Sequence, residues 1–292
     1  MADPVLHPAS YWQPLEDQVA ACTLCPYNCR IKPGSRGICQ VRRNLDGQLM
    51  AESYGQITSL ALDPIEKKPL YRFHPGSMIM SVGSYGCNFR CGFCQNWNIS
   101  QEKAPSRLIQ PEKLVSLAHQ AVEQGNIGLA FTYNEPLVGF EYVSDTARLA
   151  RQHDLVTVLV TNGSINPEPM DELLPWIDAM NIDLKSWQPS FYGKVCHGSL
   201  QPVLDTIAQC APRCHVEVTT LLIPGLNDQE EDVINMARWL ASIRTDIPLH
   251  LTRHHPDYQM NDQQPISRMR LTHLVELARH FLLYVYPGNL PS

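Results

Sequence analysis

The stretch from Gly86 to Trp97 reads GCNFRCGFCQNW and spaces Cys87, Cys91 and Cys94 as C-x3-C-x2-C. Met78–Ser84 (MIMSVGS) comes just before it, a short apolar run of the length of a buried strand. Pro111–Gly125 (PEKLVSLAHQAVEQG) follows as an amphipathic helix, with Pro111 suited to its first turn and Gly125 to its end. The thiols therefore sit on a loop between a strand and its crossover helix. The same alternation continues outward. Apolar strands are predicted at Ile127–Pro136, Leu155–Gly163, Met180–Ser186, His215–Gly225, Pro248–Pro256 and Leu282–Asn289. Helices are predicted at Val138–Asp154, Pro169–Ala179, Pro202–Ala211, Asp228–Arg244 and Ile266–His280. About six β/α units in series imply parallel strands with helical crossovers. The predicted fold is α/β, a partial (β/α)6 TIM-like barrel, with a doubly wound sheet as the alternative. In either, chemistry belongs at the C-terminal ends of the strands. The polar residues fall there: the three cysteines, Glu135, Asn162, Asp183, Lys185 and Arg253 to His255.

Residues 1–75 read differently from residues 76–292. They are rich in Cys, Pro and Gly, with turn signals at Pro33–Gly37 (PGSRG) and Leu45–Gly47 (LDG), and Gln48–Asp63 suits a strand or hairpin arm. The expectation is a small Cys-rich N-terminal cap, stabilised by metal, on a barrel of residues 76–292. The chain has 292 residues, 44% hydrophobic and 18% charged, as in an ordinary globular protein. A net charge of −6 argues against a nucleic-acid binder. Lys32, Arg36, Arg42 and Arg43 form the best basic patch and are read as a solvated face. The first residues lack a basic start and apolar core, so no signal peptide is expected. No apolar run reaches the roughly 20 residues that cross a bilayer. The expected location is the cytoplasm, where thiols stay reduced. Ten cysteines then need a purpose other than disulfides.

Three thiolates on one loop hold three irons of a cubane cluster and leave the fourth without a protein ligand. Zinc would want a fourth ligand, because structural zinc sites are closed. An open iron is useful only where something else binds it. C-x3-C-x2-C after the first strand of a β/α barrel, with Phe93 just before the third cysteine, resembles the radical S-adenosylmethionine superfamily. The resemblance implies a 4Fe–4S cluster on Cys87, Cys91 and Cys94. It implies S-adenosylmethionine chelating the open iron and reductive cleavage to a 5′-deoxyadenosyl radical that abstracts hydrogen. Such a cluster sits at the low end of the roughly −700 to +450 mV span of these centres.

Further motifs resemble the pyruvate formate-lyase activating enzyme branch. Thr132–Pro136 (TYNEP) stands where that branch has GGEP, so the resemblance gives Glu135 to the cofactor's ammonium, while Thr132 and Asn134 depart from the glycines. Val160–Gly163 (VTNG) gives Asn162 to the ribose side. Asp183-Leu184-Lys185 matches D-x-K at the methionine end. Two residues apart on a strand share a face, so both charges reach one zwitterion. His250 matches a histidine that lines this site, and Phe93 is placed near the adenine. Taken alone, Asp183 and Lys185 would be a structural ion pair and His250 a core histidine.

Longer stretches narrow the likeness. Asp63–Ser77, Ser81–Gln101, Lys194–Gly198 (KVCHG), Glu217–Asp228, Leu249–Met260 and Tyr284–Asn289 resemble the AmmeMemoRadiSam radical enzymes, over about residues 20 to 290. That likeness implies Memo-like and AMMECR-type companion proteins and leaves the reaction open. Longer members continue into a cysteine pair that this sequence, ending at Ser292, lacks. Cys196, in KVCHG, is a candidate catalytic thiol, as hydrogen-atom donor or radical acceptor, or else an inert buried thiol. Cys22, Cys25, Cys29 and Cys39, spaced C-x2-C-x3-C-x9-C, fit zinc first and a second iron–sulfur cluster next. The leading reading is an oxygen-sensitive radical enzyme of unidentified substrate, fed by reduced flavodoxin or ferredoxin. Its rivals are a glycyl radical enzyme activating enzyme and a non-catalytic iron–sulfur electron carrier or redox sensor.

Overall fold

The computed structural model describes residues 6–102 and 104–290. The first residues, on which the reading against a signal peptide partly rests, lie outside the described residues. Eight strands form one open sheet whose order follows the chain: β1 (Ser59–Pro64), β2 (Met78–Gly83), β3 (Asn126–Phe131), β4 (Val156–Thr161), β5 (Ala179–Asp183), β6 (His215–Leu222), β7 (Leu249–Arg253) and β8 (Val285–Gly288). β1 is antiparallel to β2, and β2 to β8 run parallel. The parallel strands are joined by α1 (Pro111–Gln120), α2 (Phe140–Gln152), α3 (Pro167–Leu173), α4 (Gln201–Cys210), α5 (Glu230–Ile243) and α6 (Arg268–Arg279). β1 and β8 are edge strands that do not pair with each other, so the barrel is partial, as expected.

The local reasons are visible in the residues. β4 is VTVLVT, a run of β-branched and apolar residues suited to a sheet packed on both faces. α2 buries Phe140, Val143, Ala147 and Ala150, a stripe at helical spacing. Pro111 opens α1, and Gly125, at φ 86, closes the turn after it.

The expected cap range of residues 1–75 includes residues that belong to the barrel. β1 belongs to the main sheet, and Ile65 and Leu70 are buried against Ile79, Ala130, Val158 and Ala179. The sequence boundary at residue 75 therefore falls inside the barrel's own packing. The preceding residues form two small antiparallel sheets. One holds Trp12–Pro14, Ala20–Cys22 and Arg30–Ile31; the other holds His7–Pro8, Gln48–Ala51 and Arg42–Leu45. The Leu45–Gly47 turn signal is the tip of the hairpin in the second sheet. Leu24, Ile31, Leu49 and Ala51 join the same continuous core as the barrel.

The basic patch is also corrected. Arg42 is 1% exposed and pairs with Glu141 of α2 at 2.8 Å, while Arg36 and Arg43 both pair with Glu52. Arg42 thus fastens the N-terminal sheets to the barrel instead of facing solvent, while Arg36 and Arg43 pair within the N-terminal part and Lys32 is exposed.

Candidate active site

The cysteine loop leaves β2 and is held on three sides. Asn134, after β3, accepts from the Ser84 N–H at 3.0 Å and donates to the carbonyls of Tyr85 and Gly86 at 3.2 and 3.1 Å. The backbone N–H groups of Arg90 and Gly92 donate to the carbonyls of Cys196 and Val195 at 2.8 and 3.1 Å. Asn88 donates to the Ser164 carbonyl at 2.7 Å and accepts from Asn162 at 2.9 Å. Polar groups also reach the sulfurs. The Phe89 N–H donates to Cys87 Sγ at 3.3 Å, Asn162 Nδ2 stands 3.6 Å from the same sulfur, and Ser100 Oγ is 3.1 Å from Cys94 Sγ. Such contacts stabilise thiolates and tune any cluster they hold.

The loop forms one wall of a cavity of about 340 Å³, within the range of small-molecule sites. Cys87, Cys91, Cys94, Phe93, Glu135, Asn162, Asp183 and Lys185 all line it. Residues up to 98 positions apart are thus brought together at the C-terminal ends of β2 to β5 (Cys87 to Lys185, 185 − 87 = 98). Glu135 is 3% exposed, and its carboxylate accepts from Thr161 Oγ1 at 2.6 Å, the Asn162 N–H at 2.7 Å and the Leu137 N–H at 3.0 Å. Burial pushes Glu135 up to about 7 against those donors, with Asp183 adding to the rise. Lys185 Nζ lies 3.0 Å from Asp183 Oδ2 and 5.6 Å from the centre of the Phe93 ring. Burial opposes the ammonium, but the Asp183 carboxylate together with the Cys91 and Cys196 sulfurs more than offsets it and holds Lys185 well above the usual lysine range.

Two expected residues are elsewhere. His250 is 2% exposed and does not line the cavity; it is bonded to Glu217 at 2.6 Å and packed on Tyr71. It lies two residues before Thr252, which does line the cavity, so it shares that strand face but sits further from the strand's C-terminal end. Cys196 is fully buried at the end of a π-helical turn, Tyr192–Cys196, beside Cys91 but not on the cavity wall. Cys22, Cys25, Cys29 and Cys39 also lie off the cavity wall.

Three contributors escaped the sequence reading. Asn134 stands out in the sequence only as a departure from glycine, yet it braces the cysteine loop. Thr219 lines the cavity with a buried hydroxyl that has no hydrogen-bond partner. Its signal is the pair Glu217 and Thr219, two polar residues on one face of a buried strand. Gln101 lines the cavity with an equally unpartnered Oε1. Buried polar atoms left unpaired at a cavity wall fit a polar ligand that completes them. Three thiols from one loop, supported by hydrogen-bond donors, fit a cluster with one iron open to that ligand.

Comparison with known proteins points the same way. The radical SAM superfamily model matches residues 81–237, more than half of the chain. The chain is 41% identical to the uncharacterized protein MJ0808 of Methanocaldococcus jannaschii, over 97% of this chain and 85% of that one. It is 22% identical to the pyruvate formate-lyase-activating enzyme of Clostridium pasteurianum, over 68% of this chain and 88% of that one. Among solved structures it resembles Streptococcus suis SuiB bound to S-adenosylmethionine, with a TM-score of 0.56 and 11% identity, over 70% of this chain and 48% of that one. The chain belongs to the radical SAM superfamily, whose members use a 4Fe–4S cluster and S-adenosylmethionine.

Proposed function

We propose that this protein reductively cleaves S-adenosylmethionine at a 4Fe–4S cluster bound by Cys87, Cys91 and Cys94, and that the resulting 5′-deoxyadenosyl radical takes hydrogen from a substrate. The observation that carries this reading is the convergence of those thiols with Glu135, Asn162, Asp183 and Lys185 on one cavity. Glu135, as a carboxylate, receives the cofactor's ammonium. Asp183 and Lys185, 3.0 Å apart, offer both charges to the methionine zwitterion. Asn162 serves the ribose, and Phe93 packs beside the adenine. Thr219 and Gln101 supply the unpartnered oxygens that close the polar contacts.

An iron–sulfur carrier or sensor has no use for this ring of charges around the thiols. The reading of the longer motifs as AmmeMemoRadiSam-like favours Memo-like and AMMECR-type partners, with flavodoxin or ferredoxin as electron donor in the cytoplasm. No helix among the described residues is long and apolar enough to cross a membrane.

The test is anaerobic purification and reconstitution, then dithionite and S-adenosylmethionine, with 5′-deoxyadenosine measured. Wild type is expected to form it and Cys94→Ala to lose it. A fully loaded wild type that forms none would favour the carrier or sensor reading.

A further inference from the structure

The first four cysteines are not scattered over the N-terminal sheets. Cys22 is on the Ala20–Cys22 strand, and its N–H donates to the Cys29 carbonyl at 2.9 Å. Cys25 ends up beside both Cys22 and Cys39. Cys22, Cys25 and Cys39 are buried, Cys29 is partly exposed, and none is in a disulfide. Four thiols at C-x2-C-x3-C-x9-C are thus drawn into one region of the N-terminal sheets.

A second feature points to a negatively charged occupant. The Arg42 guanidinium, 1% exposed, lies close enough to Cys22 and Cys39 to interact with their charge. Glu141 and the Ser10 carbonyl both take hydrogen bonds from its Nη2, while Nε and Nη1 are buried without a partner. Unsatisfied cationic donors in a core are costly unless something completes them. A metal centre with four thiolate ligands carries net negative charge and supplies the missing acceptors.

The kind of metal follows from the spread of the thiols. Among the described residues no three His, Cys, Asp or Glu side chains close on a point that one ion would fill. This holds at the N-terminal cysteines as it does at Cys87, Cys91 and Cys94. Ligands of one zinc gather around a single centre at about 2.3 Å. Thiolates that bind different irons of one cluster stand wider apart. The wider spread favours a cluster over the zinc that the spacing alone puts first.

The two cysteine groups are neighbours. Gly86, next to Cys87, has φ 88, and a Cβ there would lie 2.7 Å from the Cys39 carbonyl oxygen. Asn88, whose side-chain oxygen accepts from Asn162 near Cys87, also reaches Cys25. Arg90 donates to the Ile38 carbonyl, tying the two loops together.

We infer that Cys22, Cys25, Cys29 and Cys39, charge-balanced by Arg42, bind a second iron–sulfur cluster packed directly behind the first. This goes beyond the proposed reaction and stands or falls separately from it. The decisive sample is the full chain with Cys87→Ala, Cys91→Ala and Cys94→Ala, which leaves the N-terminal residues untouched. After anaerobic reconstitution with iron and sulfide it is expected to keep about four irons per chain, against about eight in wild type. It should show a visible charge-transfer band and a paramagnetic signal on reduction. Adding Cys25→Ser and Cys39→Ser should abolish that iron with the circular dichroism of the barrel intact. In reduced wild type, the signal should be broadened relative to the sum of the separate sites. One zinc per chain with no retained iron would overturn the inference in favour of a closed zinc site. No bound metal at all would overturn it outright. Neither outcome touches 5′-deoxyadenosine formation by wild type.

Discussion

Glu135 has its charge set by opposing forces. Burial favours the neutral acid, and three donors favour the carboxylate, leaving the group balanced near neutrality at about 7. An ammonium ligand binds only the carboxylate form. Binding of S-adenosylmethionine to the reconstituted protein should therefore be flat above about pH 7 and weaken below it by up to about tenfold per unit. Glu135→Gln should weaken binding at pH 8 by about tenfold or more, the scale of a charge-assisted hydrogen bond, and remove the slope. Equilibrium dialysis across this pH range checks both. A slope that survives in the glutamine variant would place the titrating group elsewhere. The sequence marks Glu135 through its motif but gives no sign of its altered acidity, which depends on Thr161 and the Asn162 backbone, 26 and 27 residues away.

The cysteine loop is the element that carries the chemistry, and its shape is imposed by its neighbours. At Gly86 the backbone is left-handed, and the Val41 side chain and the Cys39 carbonyl crowd the place of a Cβ at 2.4 and 2.7 Å. A residue other than glycine pays both conformational strain and displacement of the N-terminal segment. Gly86→Ala should lose about 2 kcal/mol or more in denaturant unfolding and hold less iron after reconstitution. An alanine variant of wild-type stability and iron content would show that the two loops separate freely. The spacing C-x3-C-x2-C is legible in sequence; the bracing by Asn134 and by the carbonyls of Val195 and Cys196 is not, because it joins segments about 50 to 105 residues apart that only the barrel brings together.

At the scale of the whole molecule, Glu217 ties the segment after β1 to the sheet. Its fully buried carboxylate accepts from the N–H groups of Tyr71 and Arg72 at 3.1 and 2.7 Å, and bonds to His215 and His250 at 2.9 and 2.6 Å. Burial alone would raise it, but these partners lower it to about 2. A depressed carboxyl stabilises the fold above its unfolded pKa, near 4.5, and that contribution is lost as pH falls toward 2. The loss should be on the order of 3 kcal/mol. Urea unfolding from pH 6 to 2 should show wild type losing more stability over this window than Glu217→Gln. Equal slopes would show that the network does not set acid stability. His250 belongs to this framework, which explains why a residue matched by motif to the cofactor site is found beside it.

The sequence by itself determined the alternation that makes the sheet parallel, the six crossovers, the open thiol triplet and the polar residues at the strand ends. These are local patterns: hydrophobic period, turn residues and short spacings survive without knowledge of distant contacts. Only the tertiary structure decided that β1 and residues 65–70 belong to the barrel, that Arg42 is buried on Glu141, that His250 and Cys196 stand off the cavity, and that the two cysteine groups touch. Each of these depends on which inward-facing side chains meet across a curved sheet, and that is fixed by packing between segments far apart in the chain rather than by any residue's neighbours in sequence.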